Sequence, residues 1–74
     1  MTKIRDEKYL KALGNRIRQI RTNKNRSTYD LSYGSSVSRS QINAIEKGDI
    51  NTTICTLKAL ADALDVKIKD LVDF

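Results

Sequence analysis

The 74-residue chain contains no proline, histidine or tryptophan, and only three glycines, one cysteine, three tyrosines and one phenylalanine. Without histidine a Cys/His zinc site is excluded, and the lone Cys55 cannot form an internal disulfide. There is no paired-carboxylate motif at useful helical spacing and no phosphate-cradling glycine loop, so no catalytic role, metal or cofactor is expected. The absence of proline, with only short polar breaks, favours a compact helical domain over a meander of strands. Uncharged runs such as Leu31 to Ser38 are far too short to cross a bilayer, and Met1 to Leu10 lacks the apolar centre of a secretory signal. A reducing, cytoplasmic setting is therefore expected, in which the sequons at Asn25 and Asn51 stay unmodified. The length supports one domain over residues 1–74, and a chain this short buries only about 60% of its unfolded surface.

What is present is positive charge, unevenly placed. The net charge is +5, yet residues 1–26 hold nine Lys or Arg against two acids, and residues 27–74 hold five against seven. A basic first third suits a polyanion such as nucleic acid, and equally suits a solvated basic helix face. Charge alone leaves both open.

Five short helices are expected. Leu10, Leu13, Ile17 and Ile20 recur at spacings of three and four, predicting a first helix from about Asp6 to Lys24. Gly14 inside it costs about 1 kcal/mol relative to alanine, a cost that close approach of a neighbouring helix would explain. Ser27 with Asp30 reads as a variant capping box for a second helix of about Thr28 to Tyr33. After the Gly34-Ser35-Ser36 turn and the apolar Val37, Ser38-Arg39-Ser40-Gln41 is a capping box that starts a third helix at Arg39. Ile42 and Ile45 point inward, and Gly48 fits the left-handed position after the helix end. Thr53 caps a fourth helix to about Leu64 that buries Leu57, Leu60, Ala61 and Leu64, and a fifth spans about Ile68 to Val72.

A short helix, a tight turn and a well-capped helix have helix-turn-helix proportions over about residues 27–48. A helix that enters the major groove needs polar residues in its first turn and apolar support behind. Arg39 can reach guanine O6 and N7, Gln41 can pair with adenine N6 and N7, and Val37, Ile42 and Ile45 supply the support. Helix N-termini at Ser27-Thr28 and near Thr52-Thr53 offer N–H groups to phosphates.

From Leu13 to Leu71 the chain resembles the phage repressor and Cro type of helix-turn-helix domain, also called the xenobiotic-response-element family. The resemblance lies in Leu13-Gly14-Asn15-Arg16-Ile17-Arg18, Arg21, Ser27 and Leu31, then Val37-Ser38-Arg39-Ser40, Ile42, Ile45-Glu46-Lys47-Gly48, Asn51, Thr56-Leu57, Leu60-Ala61 and Leu64. It implies an all-α, five-helix, lambda-repressor-like domain. It places base reading on Arg39, Ser40 and Ala44, with Gln41 and Asn43 able to add base or phosphate contacts. It places phosphate contacts on Thr28, Ser38, Lys47, Asn51, Thr52 and Thr53, and a structural salt bridge between Arg21 and Glu46. The sequence departs from the family where Thr28 replaces the usual glutamine, Ser32 and Ser36 replace alanine and glycine, and Thr52 replaces proline. Ser36 then falls where left-handed backbone is common, which predicts strain or a shifted turn.

Elsewhere the blander readings are preferred. Cys55 reads as a half-buried filler, and Tyr29 and Tyr33 as packing against the first or third helix. Lys24 and Arg26 read equally as phosphate contacts or a solvated loop. The apolar end at 66–74 suggests a homodimer closed by Val66, Ile68, Leu71 and Phe74. The leading functional reading is a small sequence-specific regulator of double-stranded DNA, of the Cro-like repressor or restriction–modification controller type, cytoplasmic and nucleoid-associated. RNA polymerase is a possible further partner. The alternative is an antitoxin that represses its own operon and binds a toxin protein; a helix-turn-helix turned protein-interaction module is a third reading, against which Arg39, Gln41 and the basic first third argue.

Overall fold

The computed structural model describes residues 4–74, in which five helices and no strands are found: α1 (Glu7–Asn23), α2 (Thr28–Ser35), α3 (Arg39–Lys47), α4 (Ile54–Ala63) and α5 (Ile68–Leu71). Each boundary has a local chemical cause. The Asp6 carboxylate accepts from the Tyr9 N–H at 3.0 Å, and Lys24 closes α1. Ser27 and Asp30 form a reciprocal box, with Asp30 N donating to Ser27 Oγ and Ser27 N donating to Asp30 Oδ2, both at 3.0 Å. The Ser27 backbone N–H, and then its hydroxyl, hold the Asp30 carboxyl below the usual carboxylate range. A depressed carboxyl contributes stability that is present at neutral pH and lost as pH falls through its folded value. At α3 only half of the expected box forms: Gln41 N donates to Ser38 Oγ at 3.2 Å, without a return bond from the Gln41 side chain. α2 runs two residues past its expected end, to Ser35, because the turn that stops it comes at Ser36.

One apolar cluster joins the elements. Leu13, Ile17 and Ile20 of α1 meet Leu31 of α2, Val37 of the turn, Ile42 and Ile45 of α3, Leu57, Leu60 and Ala61 of α4, Leu64 and Leu71. Burial of each large aliphatic side chain contributes about 1.5–3 kcal/mol, so these few residues carry most of the driving force. α1 and α3 pack with their backbones in near contact: a Cβ on Gly14 would meet the Ile45 and Glu46 carbonyls. The expected reason for a glycine inside α1 is therefore present.

Ser36 closes α2 with φ 62° and ψ 17°, in the left-handed region. A non-glycine residue there costs about 1–2 kcal/mol, against the smaller entropic cost of glycine. Ser36→Gly should therefore raise stability by about 0.5–1 kcal/mol, read as an upward shift of the urea midpoint at unchanged slope. A downward shift would show that the serine makes a contact stronger than its strain.

The C-terminal expectation needs correction. Leu71 is completely buried in the core of its own chain and has no surface to offer a second copy. Val66 and Ile68 are half-buried against the same core, and Phe74 is exposed and packs on Tyr9 with ring centroids 5.0 Å apart. The reason is the short α5: its buried face seals the open end of the bundle between α1 and α4. No helix among the described residues is long and apolar enough to cross a membrane.

Candidate nucleic-acid interface

α3 presents its polar face because Ile42 and Ile45 anchor the opposite one. At about 100° per residue, Arg39, Asn43, Lys47 and Ser40 fall within about 100° of arc. All four are exposed. Ala44 and Gln41 are half-buried and stand on the flank. The first turn of α3 thus projects Arg39 and Ser40, and Lys47 continues the same stripe towards the C-terminus.

Beside this stripe, α1, α2 and α3 enclose a cleft of about 230 Å³ lined by Arg18, Arg21, Thr28, Asn43, Glu46 and Lys47. Two of its charges cancel. Arg21 Nε donates to Glu46 Oε2 at 2.7 Å and Arg21 Nη2 to Glu46 Oε1 at 3.0 Å, while Arg21 Nη1 donates to the Arg26 carbonyl at 2.8 Å. Hydrogen bonding to Glu46 holds the Arg21 guanidinium above its ordinary pKa, against the opposing effect of its burial. What remains is the charge of Arg18 and Lys47 and the positive end of α2 at Thr28, a combination suited to an anion. Thr28, Asn43 and Lys47 were expected to touch phosphate and are brought together here; Arg18 was not expected. Its spacing on α1 gave no signal, because only the crossing of α1 over α3 puts it beside Lys47.

Other expected phosphate contacts lie elsewhere. Ser38 and Thr53 serve as N-caps, with their oxygens accepting from Gln41 N and Thr56 N. Asn51 Nδ2 donates to the Ile4 carbonyl at 2.9 Å, and Arg5 Nη2 to the Asp49 carbonyl at 2.7 Å, so the N-terminal residues strap down the α3–α4 connection. The Thr52 hydroxyl is buried without a hydrogen-bond partner and so offers no exposed oxygen to a phosphate, a correction to the expectation for its side chain.

The basic first third also divides. Arg16 Nε donates to the Asp70 carbonyl at 2.9 Å, tying α1 to α5. Arg26 Nη1 donates to the Ala63 carbonyl at 2.7 Å and pairs with Asp65 at 3.6 Å, closing the end of α4. With Arg5 and Arg21, four of these arginines are engaged in the scaffold. Lys3 lies outside the described residues. Two further expectations are overturned, for Tyr33, which is 84% exposed, and for Cys55, which is exposed; Tyr29, itself 60% exposed, lies against Arg39 at the start of α3. The apolar residues that fill the bundle are aliphatic, which leaves the α2 tyrosines on its surface.

A helix-turn-helix family model matches residues 17–71. The chain belongs to the helix-turn-helix family. Control protein C.BamHI of Bacillus amyloliquefaciens is 37% identical to it over 62 residues, 82% of this chain and 76% of the relative. The crystal structure of the restriction–modification controller protein C.AhdI from Aeromonas hydrophila is 34% identical, with a TM-score of 0.82 over 84% of this chain and 94% of that one. The controller protein C.Esp1396I, solved as a tetramer in complex with its natural 35 base-pair operator, is 28% identical, with a TM-score of 0.78 over 92% and 100% of the two chains. This helix-turn-helix protein accordingly has, in its five helices, the fold of a small DNA-binding regulator.

Proposed function

We propose that this helix-turn-helix protein is a controller-type transcriptional regulator that binds an inverted-repeat operator as a homodimer, with residues 1–74 forming one DNA-binding domain. The observation that carries the reading is the exposed stripe of Arg39, Ser40, Asn43 and Lys47, continuous with the cationic cleft at Arg18 and Thr28. Arg39 and Ser40 read bases in the major groove, and Gln41 and Ala44 bound the read surface. Lys47, Asn43, Thr28 and Arg18 hold phosphates, with Ser38 at the entry to α3. Relatives that are restriction–modification controllers support this over the antitoxin alternative. The exposed Val72 and Phe74, with Tyr9, form the apolar surface through which the homodimer closes. The protein acts in the cytoplasm, on the nucleoid.

The test is selection of bound duplexes from a random library at near-physiological salt. The expected product is an inverted repeat with half-sites about one helical turn apart. On that duplex Arg39→Ala should cost about 1–3 kcal/mol and relax selectivity at one base pair. Lys47→Ala should weaken binding to every duplex and lower the salt slope by about 1. Weak, steeply salt-dependent binding without an enriched sequence would overturn the reading.

A further inference from the structure

Tyr29 is the second residue of α2, and Arg39 is the first of α3. The Arg39 guanidinium carbon lies 5.8 Å from the centroid of the Tyr29 ring, within the range of a cation–π contact. We propose that Tyr29 is a specificity-determining residue, whose ring holds the Arg39 guanidinium in its base-reading pose without occupying any of its N–H donors. This rests on the reading of Arg39 as a base-contacting residue.

Three observations support it. Tyr29 is 60% exposed, so its aromatic ring is not spent on the core, which is built from aliphatic side chains. Among the described residues Arg39 makes no hydrogen bond or ion pair, whereas Arg5, Arg16, Arg21 and Arg26 are each tied by at least one. The acid that follows Tyr29, Asp30, is turned to the Ser27 N–H and does not compete for the guanidinium.

The chemistry favours an aromatic face over a carboxylate in this position. A ring attracts the cation through its π-face, whereas a carboxylate takes up N–H groups of the guanidinium fork. A guanine O6 and N7 pair needs two adjacent N–H groups of that same fork. A carboxylate partner would take them in the free protein and would have to be displaced on binding. Tyr29 narrows the conformations of a long flexible side chain while leaving its reading edge open, so less order is lost on binding. The contact also strengthens when DNA excludes water from it.

The experiment uses the full chain and the tightest duplex selected by the wild type, together with the same duplex altered at the base pair under Arg39 and an unrelated duplex of equal length. Affinities are measured by fluorescence anisotropy for Tyr29→Phe and Tyr29→Leu, each with Arg39 and with Arg39→Ala. Tyr29→Leu should weaken the selected duplex about two- to fivefold. That loss should fall on discrimination at the Arg39 base pair, leave the unrelated duplex unchanged and vanish in the Arg39→Ala background. Tyr29→Phe should match the wild type. An equal loss in Tyr29→Phe would make the hydroxyl the contact, and a loss that persists without Arg39 would make Tyr29 an independent one; either overturns the proposal. Tyr29→Gln serves in place of leucine should the apolar variant aggregate. If Arg39→Ala itself leaves discrimination intact, the base-reading assignment fails, whereas a silent Tyr29 beside an active Arg39 defeats this proposal alone.

Discussion

Gly14→Ala should destabilise the protein by about 3 kcal/mol or more, at the upper end of what overpacking costs. The added Cβ would fall on the Ile45 carbonyl oxygen, 2.6 Å from the Glu46 carbonyl oxygen and 2.8 Å from its carbon. All three obstacles are backbone, so no side-chain rotation can make room and α1 must separate from α3. The intrinsic helix preference of alanine over glycine, about 1 kcal/mol, opposes this and is outweighed. For a domain of this size each kcal/mol moves the melting temperature by roughly 4–8 °C, so thermal denaturation followed by circular dichroism should show a fall of more than 10 °C. Gly34→Ala is the control. Its Cβ would lie 3.6 Å from the Ala63 Cβ, an ordinary contact, and its melting temperature should hold or rise. A small loss at Gly14 would show that α3 can move on α1, and with it the stripe that carries Arg39.

Glu46→Ala should cost about 2–3 kcal/mol, between the values for an exposed and a fully buried pair, because it leaves the part-buried Arg21 guanidinium without its partner. Side-chain exposure of the pair is 12% and 8%, which separates it from exposed ion pairs worth at most about 1 kcal/mol. The bidentate geometry and the third bond to the Arg26 carbonyl fasten three places at once: the end of α1, the end of α3 and the connection into α2. Arg21→Lys should also be destabilising, since an ammonium cannot reproduce the planar fork. Replacing both partners together, Arg21→Met with Glu46→Leu, should recover most of the loss, because no uncompensated charge then remains. Urea denaturation of the two single variants and the double variant measures the coupling. A loss below about 1 kcal/mol for Glu46→Ala would make the pair equivalent to an exposed bridge.

These two sites show how unevenly the sequence speaks. The starts of α2, α3 and α4 were legible because Ser27, Ser38 and Thr53 act within their own turn, and a cap needs only residues three positions apart. The apolar spacing of α1 and α3 likewise exposed the core, since a 3.6-residue period maps directly onto a face. The family resemblance, which puts glycine where Ser36 stands, implied either strain or a shifted turn, and the left-handed backbone is kept. The exposed polar face of α3 followed from the same periodicity.

What the sequence could not determine were relations between residues distant along the chain. Arg16, Arg18, Arg21 and Arg26 look alike as a basic run, yet three hydrogen-bond to the scaffold and Arg18 lines the cleft with Lys47. Apolar character at Leu71 suggested a partner surface, although the packing of α5 used it to close the core. The tyrosines of α2 were expected to pack on α1 or α3; Tyr33 is left on the surface, while Tyr29, largely exposed, lies under Arg39 of α3. Local sequence thus determined where helices begin, end and turn their apolar faces. Only the crossing of α1 over α3, and of α5 against the bundle, decided which charges remain free to meet DNA. A cap forms within one turn, but the fate of a long cationic side chain is settled by whichever carbonyl, carboxylate or ring the fold brings within its reach.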